Sequence, residues 1–167
     1  LLGSKTWQIH GGAFKPTTSP QKGAISMTDS QMPTMKLEVV LVPVSDVDRA
    51  KSFYTEKLGF NADHDTNISD AVRLVQLTPP GSGCSIVIGV GMDSFSEMRP
   101  GSIKGLQLVV SDIEAVRAKL VERDVAVSAI QHYEGVELVD GHGGDWNSFI
   151  FFDDPDGNSW VIQKRPG

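Results

Sequence analysis

Val44-Ser45-Asp46-Val47-Asp48 recurs as Val110-Ser111-Asp112-Ile113-Glu114, a constant offset of 66 residues that also carries Glu56 onto Glu122. In both places an apolar run precedes the polar pair: Leu37-Glu38-Val39-Val40-Leu41-Val42-Pro43 in the first, Gly105-Leu106-Gln107-Leu108-Val109 in the second. Short runs rich in Val and Leu read as mostly buried strands. Ser45 and Asp46 supply N-cap chemistry, since a short side-chain oxygen can accept from an N–H that the first helical turn leaves unpaired. Val47, Ala50, Phe53, Tyr54 and Leu58 then recur at helical spacing to form one apolar face, with Gly59 as terminator. In the second copy Ser111 and Glu114 stand at capping-box spacing ahead of a helix over Ala115 to Arg123.

Three strands follow each predicted helix. In the first half they are Phe60 to His64, Val72 to Leu77 and Cys84 to Val90, with Pro79-Pro80-Gly81 as a turn. In the second they are Val125 to Gln131, Asn147 to Phe152 and Ser159 to Lys164, the last two joined by Asp154-Pro155-Asp156-Gly157-Asn158. The reading is an α+β fold made by internal duplication of a βαβββ unit, with modules at about 35–92 and 103–165. One such sheet cannot bury its apolar face alone, so the two modules must pair.

Length and composition fit one domain with an extension. The chain has 167 residues, 40% apolar and 22% charged, and no apolar run nears the roughly 20 residues of a bilayer span. Net charge is -6; residues 1–34 carry Lys5, Lys15 and Lys22 against Asp29, which leaves -8 on the remainder. A body of that sign, without a clustered basic face, argues against nucleic acid as a partner. Cys84 is the single cysteine, which excludes an intrachain disulfide and a thiolate zinc cluster, and its apolar surroundings read as core. Residues 1–34 are rich in Ser, Thr, Pro, Gly and Lys, lack an apolar signal segment and begin at Leu1. They read as an arm, flexible or packed through Trp7, Ile9 or Phe14, on a cytoplasmic protein.

From Met35 to Arg165 the sequence resembles the vicinal-oxygen-chelate superfamily of glyoxalases, extradiol dioxygenases and bleomycin-binding proteins. The resemblance rests on Val44 to Ala50 running to Phe53-Tyr54 and Leu58-Gly59-Phe60, on the echo at Val110-Ser111-Asp112, and on Phe152 to Asn158. It implies paired βαβββ modules forming a curved mixed sheet with a cup-shaped cavity, and a homodimer. These motifs are caps, turns and core contacts, so they speak to fold more than to reaction.

Metal-binding members of the superfamily usually place a ligand seven residues before each motif aspartate and a glutamate on the last strand. Here those positions hold Val39, Gly105 and Val161, with the fourth among Ser85, Ile86 and Val87. None offers the imidazole or carboxylate that such a site needs. Glu38 lies one residue from the first position, and His64, His132, His142 and Asp145 are the groups from which a relocated site would have to be built; His10 lies in the arm. The expectation is no metal and no cofactor.

If the sheet curves as in these relatives, Val39, Leu41, Gly105, Gln107, Val161 and Gln163 share the strand face that points into the cup. The aliphatic ones fill a core or line a pocket; the two amides need partners, either backbone or ligand. Gln131 to Trp146 is the longest polar stretch, and His132, Glu134, His142 and Asp145 are its acid–base candidates. Trp146 is a candidate for stacking on a ligand, Trp160 for packing. Two function classes stand: a metal-independent binder of a small organic molecule, and an enzyme (lyase, isomerase or dioxygenase) using metal-free acid–base chemistry or a relocated metal.

Overall fold

Asp46 and Asp112 begin their helices in the same way. In the computed structural model, which describes residues 32–167, both have extended backbones (φ -142° and -127°), and each carboxylate accepts a 2.9 Å bond from the N–H three residues on, Arg49 and Ala115. Ser111 does not form a capping box with Glu114. The cap falls one residue later, on Asp112, which frees the Glu114 carboxylate to meet His142 and Lys164. The arm residues Trp7, Ile9, His10 and Phe14 lie outside the described residues.

The first module runs β1 (Val39–Leu41), α1 (Val47–Ser52) widening into a π turn (Phe53–Lys57), β2 (Asn61–Ser69), β3 (Val72–Thr78) and β4 (Ser85–Val90). A short α2 (Asp93–Ser96) leads to the second: β5 (Leu106–Val110), α3 (Ile113–Glu122), β6 (Gln131–Glu134), β7 (Glu137–Asp140), β8 (Phe149–Asp153) and β9 (Ser159–Lys164). Gly59 ends the first helix at φ +73°, and Phe60 N–H donates back to the Tyr54 carbonyl at 2.9 Å, so the chain leaves the helix through a left-handed residue as the sequence predicts.

The strands form two sheets, ordered β1-β4-β3-β2 and β5-β9-β8-β6-β7, each with its first strand parallel to its last. Val40 pairs with Ile86 and Leu106 with Trp160, so equivalent positions lie 66 residues apart at the first strand and 74 at the last. The difference accommodates a hairpin that the first module lacks. Gln131 to Asp140, which the sequence shows only as part of a long polar stretch, is the hairpin β6–β7, turned at Gly135 with φ +65°. Its strands carry few apolar residues, which hid their period, but a two-residue turn with glycine at positive φ is hairpin chemistry. Of Val125 to Gln131, expected as a strand, only Gln131 lies in one, as the first residue of β6. A bridge from Val127 to Phe152 and the bond from Ser128 N to Phe151 O hold the segment to β8, while the Ser128 hydroxyl accepts from Phe151 N and interrupts the ladder.

One face of each sheet is closed. α1 packs on β3 and β4, α3 on β8 and β9. Val42, Val75, Leu77, Ile86 and Ile88 are buried on the first sheet, Ile150, Phe152, Trp160 and Ile162 on the second. The modules share an aromatic core in which Trp160 meets Tyr54, Phe60 and Phe152 with ring centroids 5.8, 5.8 and 6.2 Å away.

The turn Asp154 to Asn158 does more than reverse the chain. Buried Asp154 accepts from Tyr54 Oη at 2.7 Å, Asn158 Nδ2 at 2.8 Å, and the N–H groups of Asp156 and Asn158. Asn158 Nδ2 also donates to the Pro43 carbonyl at 2.9 Å, and Asp156 accepts from Ser45 Oγ and Arg49. The turn is the polar joint between modules. Burial, reinforced by the adjacent Asp154 carboxylate, pushes the Tyr54 phenol far above its usual range, so it stays a donor.

Candidate functional site

Alternation along β5, β8 and β9 sends Leu106, Leu108, Ile150, Trp160 and Ile162 to the closed face and their neighbours to the other. That open face is fixed by register: Gln107 lies beside Val161, which lies beside Phe151, and Val109 lies beside Gln163, which lies beside Phe149. Tyr133 of β6 extends the row, edge-on to Phe149 at 5.6 Å, and Phe149 stacks with Phe151 at 6.3 Å. A floor of three aromatic rings and two valines stands next to two amides. Val109 is 49% and Tyr133 45% exposed, so this apolar surface is uncovered in the single chain.

The first sheet opens the same way with different chemistry. Val39 and Leu41 of β1 face outward beside Ser85 and Val87 of β4, and Leu41 and Val87 continue to Gln76 of β3. Here the polar side chains run in a chain: Asp63 accepts from Thr78 Oγ1, Thr78 Oγ1 meets Ser85 Oγ at 2.6 Å, and Gln76 Nε2 donates to Ser85 Oγ at 3.2 Å. Val39 and Leu41 on one side, and Gln107, Val161 and Gln163 on the other, therefore lie on the open faces of two separate sheets. Gly105 sits at the start of β5 with φ +74°, and a Cβ there would meet only open space. Glycine at this usual ligand position thus has a backbone reason: a side chain would fit sterically, but only on a left-handed residue.

The acid–base candidates fall into separate pairs. His132 Nε2 lies 3.2 Å from Glu134 on its own strand, on the side opposite Tyr133, with Nδ1 3.2 Å from the Gly141 carbonyl. His142 turns to Glu114 of α3 at 3.3 Å, where Lys164 also approaches at 3.7 Å. Asp145 joins His142, Glu114 and Lys164 around a cavity of about 340 Å³, without His132 or Glu134 in its lining. His64 is exposed on β2 of the other sheet. Among the described residues no three His, Cys, Asp or Glu side chains converge as a metal-ion cluster. Cys84 is half-buried just before β4.

Two features escaped the sequence reading. Phe149, Phe151 and Tyr133 were legible only through cross-strand register, because Phe149-Ile150-Phe151-Phe152 is apolar throughout and shows no alternation. Trp146 adopts φ +59°, which for a bulky side chain is strained by about 1–3 kcal/mol. The Gly143-Gly144 pair before it gave the only hint of an irregular backbone.

Comparison with known proteins agrees with this architecture. A solved antibiotic-binding protein, TnmS3 from Streptomyces sp. CB03234, is 34% identical over 81% of this chain and all of its own, with a TM-score of 0.65. A glyoxalase/bleomycin resistance protein from the same strain is 35% identical over 77% of this chain and all of its own, TM-score 0.60. The uncharacterized protein YetH of Bacillus subtilis (strain 168) is 23% identical over 77% of this chain and 98% of its own length. Residues 36–162 match the family model, and the chain belongs to the Glyoxalase/Bleomycin resistance protein/Dioxygenase superfamily.

Proposed function

We propose that this chain is a small-molecule binding protein that holds a planar, largely apolar organic molecule on its open sheet faces without a divalent metal, acting as a homodimer. The observation that carries the reading is the uncovered aromatic row Tyr133, Phe149 and Phe151 beside Val109 and Val161. Aromatic floors bind flat π-systems through contact area and ring stacking. Val39, Leu41, Gly105, Gln107, Val161 and Gln163 belong to the binding surface in this reading. The antibiotic-binding function of TnmS3 supports it. The charge of -8 outside residues 1–34 favours neutral or cationic ligands over anions.

Dimerisation is supported by the same surfaces. β1 and β5 are sheet edges, and each sheet leaves aliphatic side chains uncovered on its open face, Val39 and Val109 among them. A second copy would cover both edges and faces, and would close a cup around the ligand. The test is titration with proflavine, a planar cation, against cyclohexylamine as aliphatic cation, each with and without chelator, alongside sedimentation. Saturable proflavine binding that survives chelation, on a dimer, is expected. Binding abolished by chelator, or a monomer at high micromolar concentration, contradicts the metal-free or the dimeric part respectively.

A further inference from the structure

The two amides on the open face of the second sheet are already engaged. Gln163 Nε2 donates to the backbone carbonyl of Trp146 at 2.6 Å, and Gln163 Oε1 accepts from Gln107 Nε2 at 2.5 Å. The direction of this relay is forced: a carbonyl can only accept, so Gln163 must present its nitrogen to Trp146 and its oxygen to Gln107, which must then donate. Among the described residues, the Trp146 carbonyl accepts from Gln163 alone.

The relay ends on a strained residue. Trp146 stands at φ +59° and is 50% exposed, in the loop between β7 and β8. Its neighbours are clamped independently: Asn147 exchanges two bonds with the Tyr133 backbone, at 2.9 and 3.0 Å, and Ser148 Oγ accepts from Gly143 N. Tyr133 is itself part of the aromatic row. A left-handed backbone at an indole-bearing residue persists only where its surroundings over-determine it, and the Gln163 bond to its carbonyl adds to the clamps on Asn147 and Ser148.

We infer that Gln107 and Gln163 are positioning residues: they hold the backbone of Trp146, a residue that also lines the cavity of Glu114, His142 and Lys164, beside the open face, and so set its indole to take part in binding a planar ligand. They act through Trp146 and do not read the ligand's polar groups. This rests on the open-face reading of function, but its first test needs no ligand.

Fluorotryptophan incorporation gives three fluorine resonances, one for each tryptophan, and Trp146→Phe assigns the one of interest. Gln163→Leu and Gln107→Leu should each shift or broaden the Trp146 signal and leave that of buried Trp160 in place, which also reports that the fold survives. Gln163→Glu still accepts from Gln107 but turns an acceptor toward the Trp146 carbonyl, so it should disturb Trp146 as much as Gln163→Leu does. An unmoved Trp146 signal in the Gln163 variants would overturn the relay. With proflavine, Gln163→Leu should weaken binding roughly three- to tenfold in the wild-type background and cause no further loss once Trp146 is alanine. An equal loss in both backgrounds would mean that the amide touches the ligand directly, and would sink the inference. Failure of proflavine to bind at all counts against the open-face reading, and the relay then stands or falls on the fluorine signal.

Discussion

The two modules are alike on their closed sides and unlike on their open ones. Asp46 and Asp112 cap equivalent helices with equal bonds, and Val42, Val75 and Ile86 are answered by Leu108, Ile150 and Trp160. On the open side the first sheet carries the chain Asp63, Thr78, Ser85 and Gln76, whereas the second carries three aromatic rings and a glutamine relay. Core and cap positions are held by packing and backbone chemistry that any copy of the fold must satisfy. Open-face positions carry no such requirement, and it is there that the two modules differ.

The turns between the last two strands differ most in consequence. In the first module Ser82 makes local bonds to Cys84 and is exposed; in the second, Asp154 joins the modules. Asp154→Ala leaves the Tyr54 hydroxyl, the Asn158 amide and two backbone N–H groups without their acceptor, and should lower stability by about 3 kcal/mol or more. Ser82→Ala should cost about 0.5 kcal/mol. Urea midpoints at neutral pH measure both. Similar values for the two would remove the claim that one turn is a joint.

Next in size is the contrast between the open faces. Phe149→Ala should weaken proflavine binding about tenfold, or about 1.4 kcal/mol, while Thr78→Val on the other sheet should leave it within about twofold. The reverse order in calorimetric titration would move the aromatic subsite to the first module. Smaller still are the caps: Asp46→Ala and Asp112→Ala should each cost about 1 kcal/mol. A large inequality in denaturation would show that the duplication is geometric but not energetic.

How much of this was legible in the sequence follows from the same division. The helix starts at Asp46 and Asp112 and the terminator Gly59 were readable because local backbone chemistry decides them. The resemblance, combined with alternation along each strand, puts Gln107 and Gln163 on one face, and in the structure they lie on one face, within bonding distance. The hairpin β6–β7 shows no period because each of its faces mixes polar and apolar side chains, Gln131 and Tyr133 with Leu138 and Asp140 on one, His132 and Glu134 with Glu137 and Val139 on the other. The Asp154 joint reads as turn chemistry alone in the sequence, since Tyr54, the partner of Asp154, and Pro43, the partner of Asn158, lie a hundred or more residues away. The separation of His132 from His142 depends on α3 offering Glu114 to the latter, a tertiary fact that no local pattern carries.

A further small effect concerns how each helix is tied to its sheet, and it separates the modules by charge. In the first, Lys51 of α1 reaches Asp65 of β2 at 2.8 Å, and Arg73 of β3 binds the same carboxylate at 2.8 and 2.9 Å. At the equivalent place 66 residues on, Arg117 of α3 donates to a neutral acceptor, the Ser128 carbonyl, at 2.8 Å. The hydrogen bonds from Arg73, then those from Lys51, hold the Asp65 carboxyl well below the usual carboxylate range. A carboxyl depressed in the folded state stabilises fully above its unfolded pKa of about 3.9, and that contribution fades as pH falls through this value toward the depressed one. Because the group is partly exposed and screened, Asp65→Asn should cost no more than about 1 kcal/mol at pH 7. The gap between wild type and variant should narrow when the urea midpoints are repeated near pH 3. Arg117→Gln, lacking a titrating partner, should show a difference that does not narrow over the same interval. If the Asp65 gap instead widens on acidification, the carboxyl is not depressed in the folded protein and the tie in the first module is not ionic.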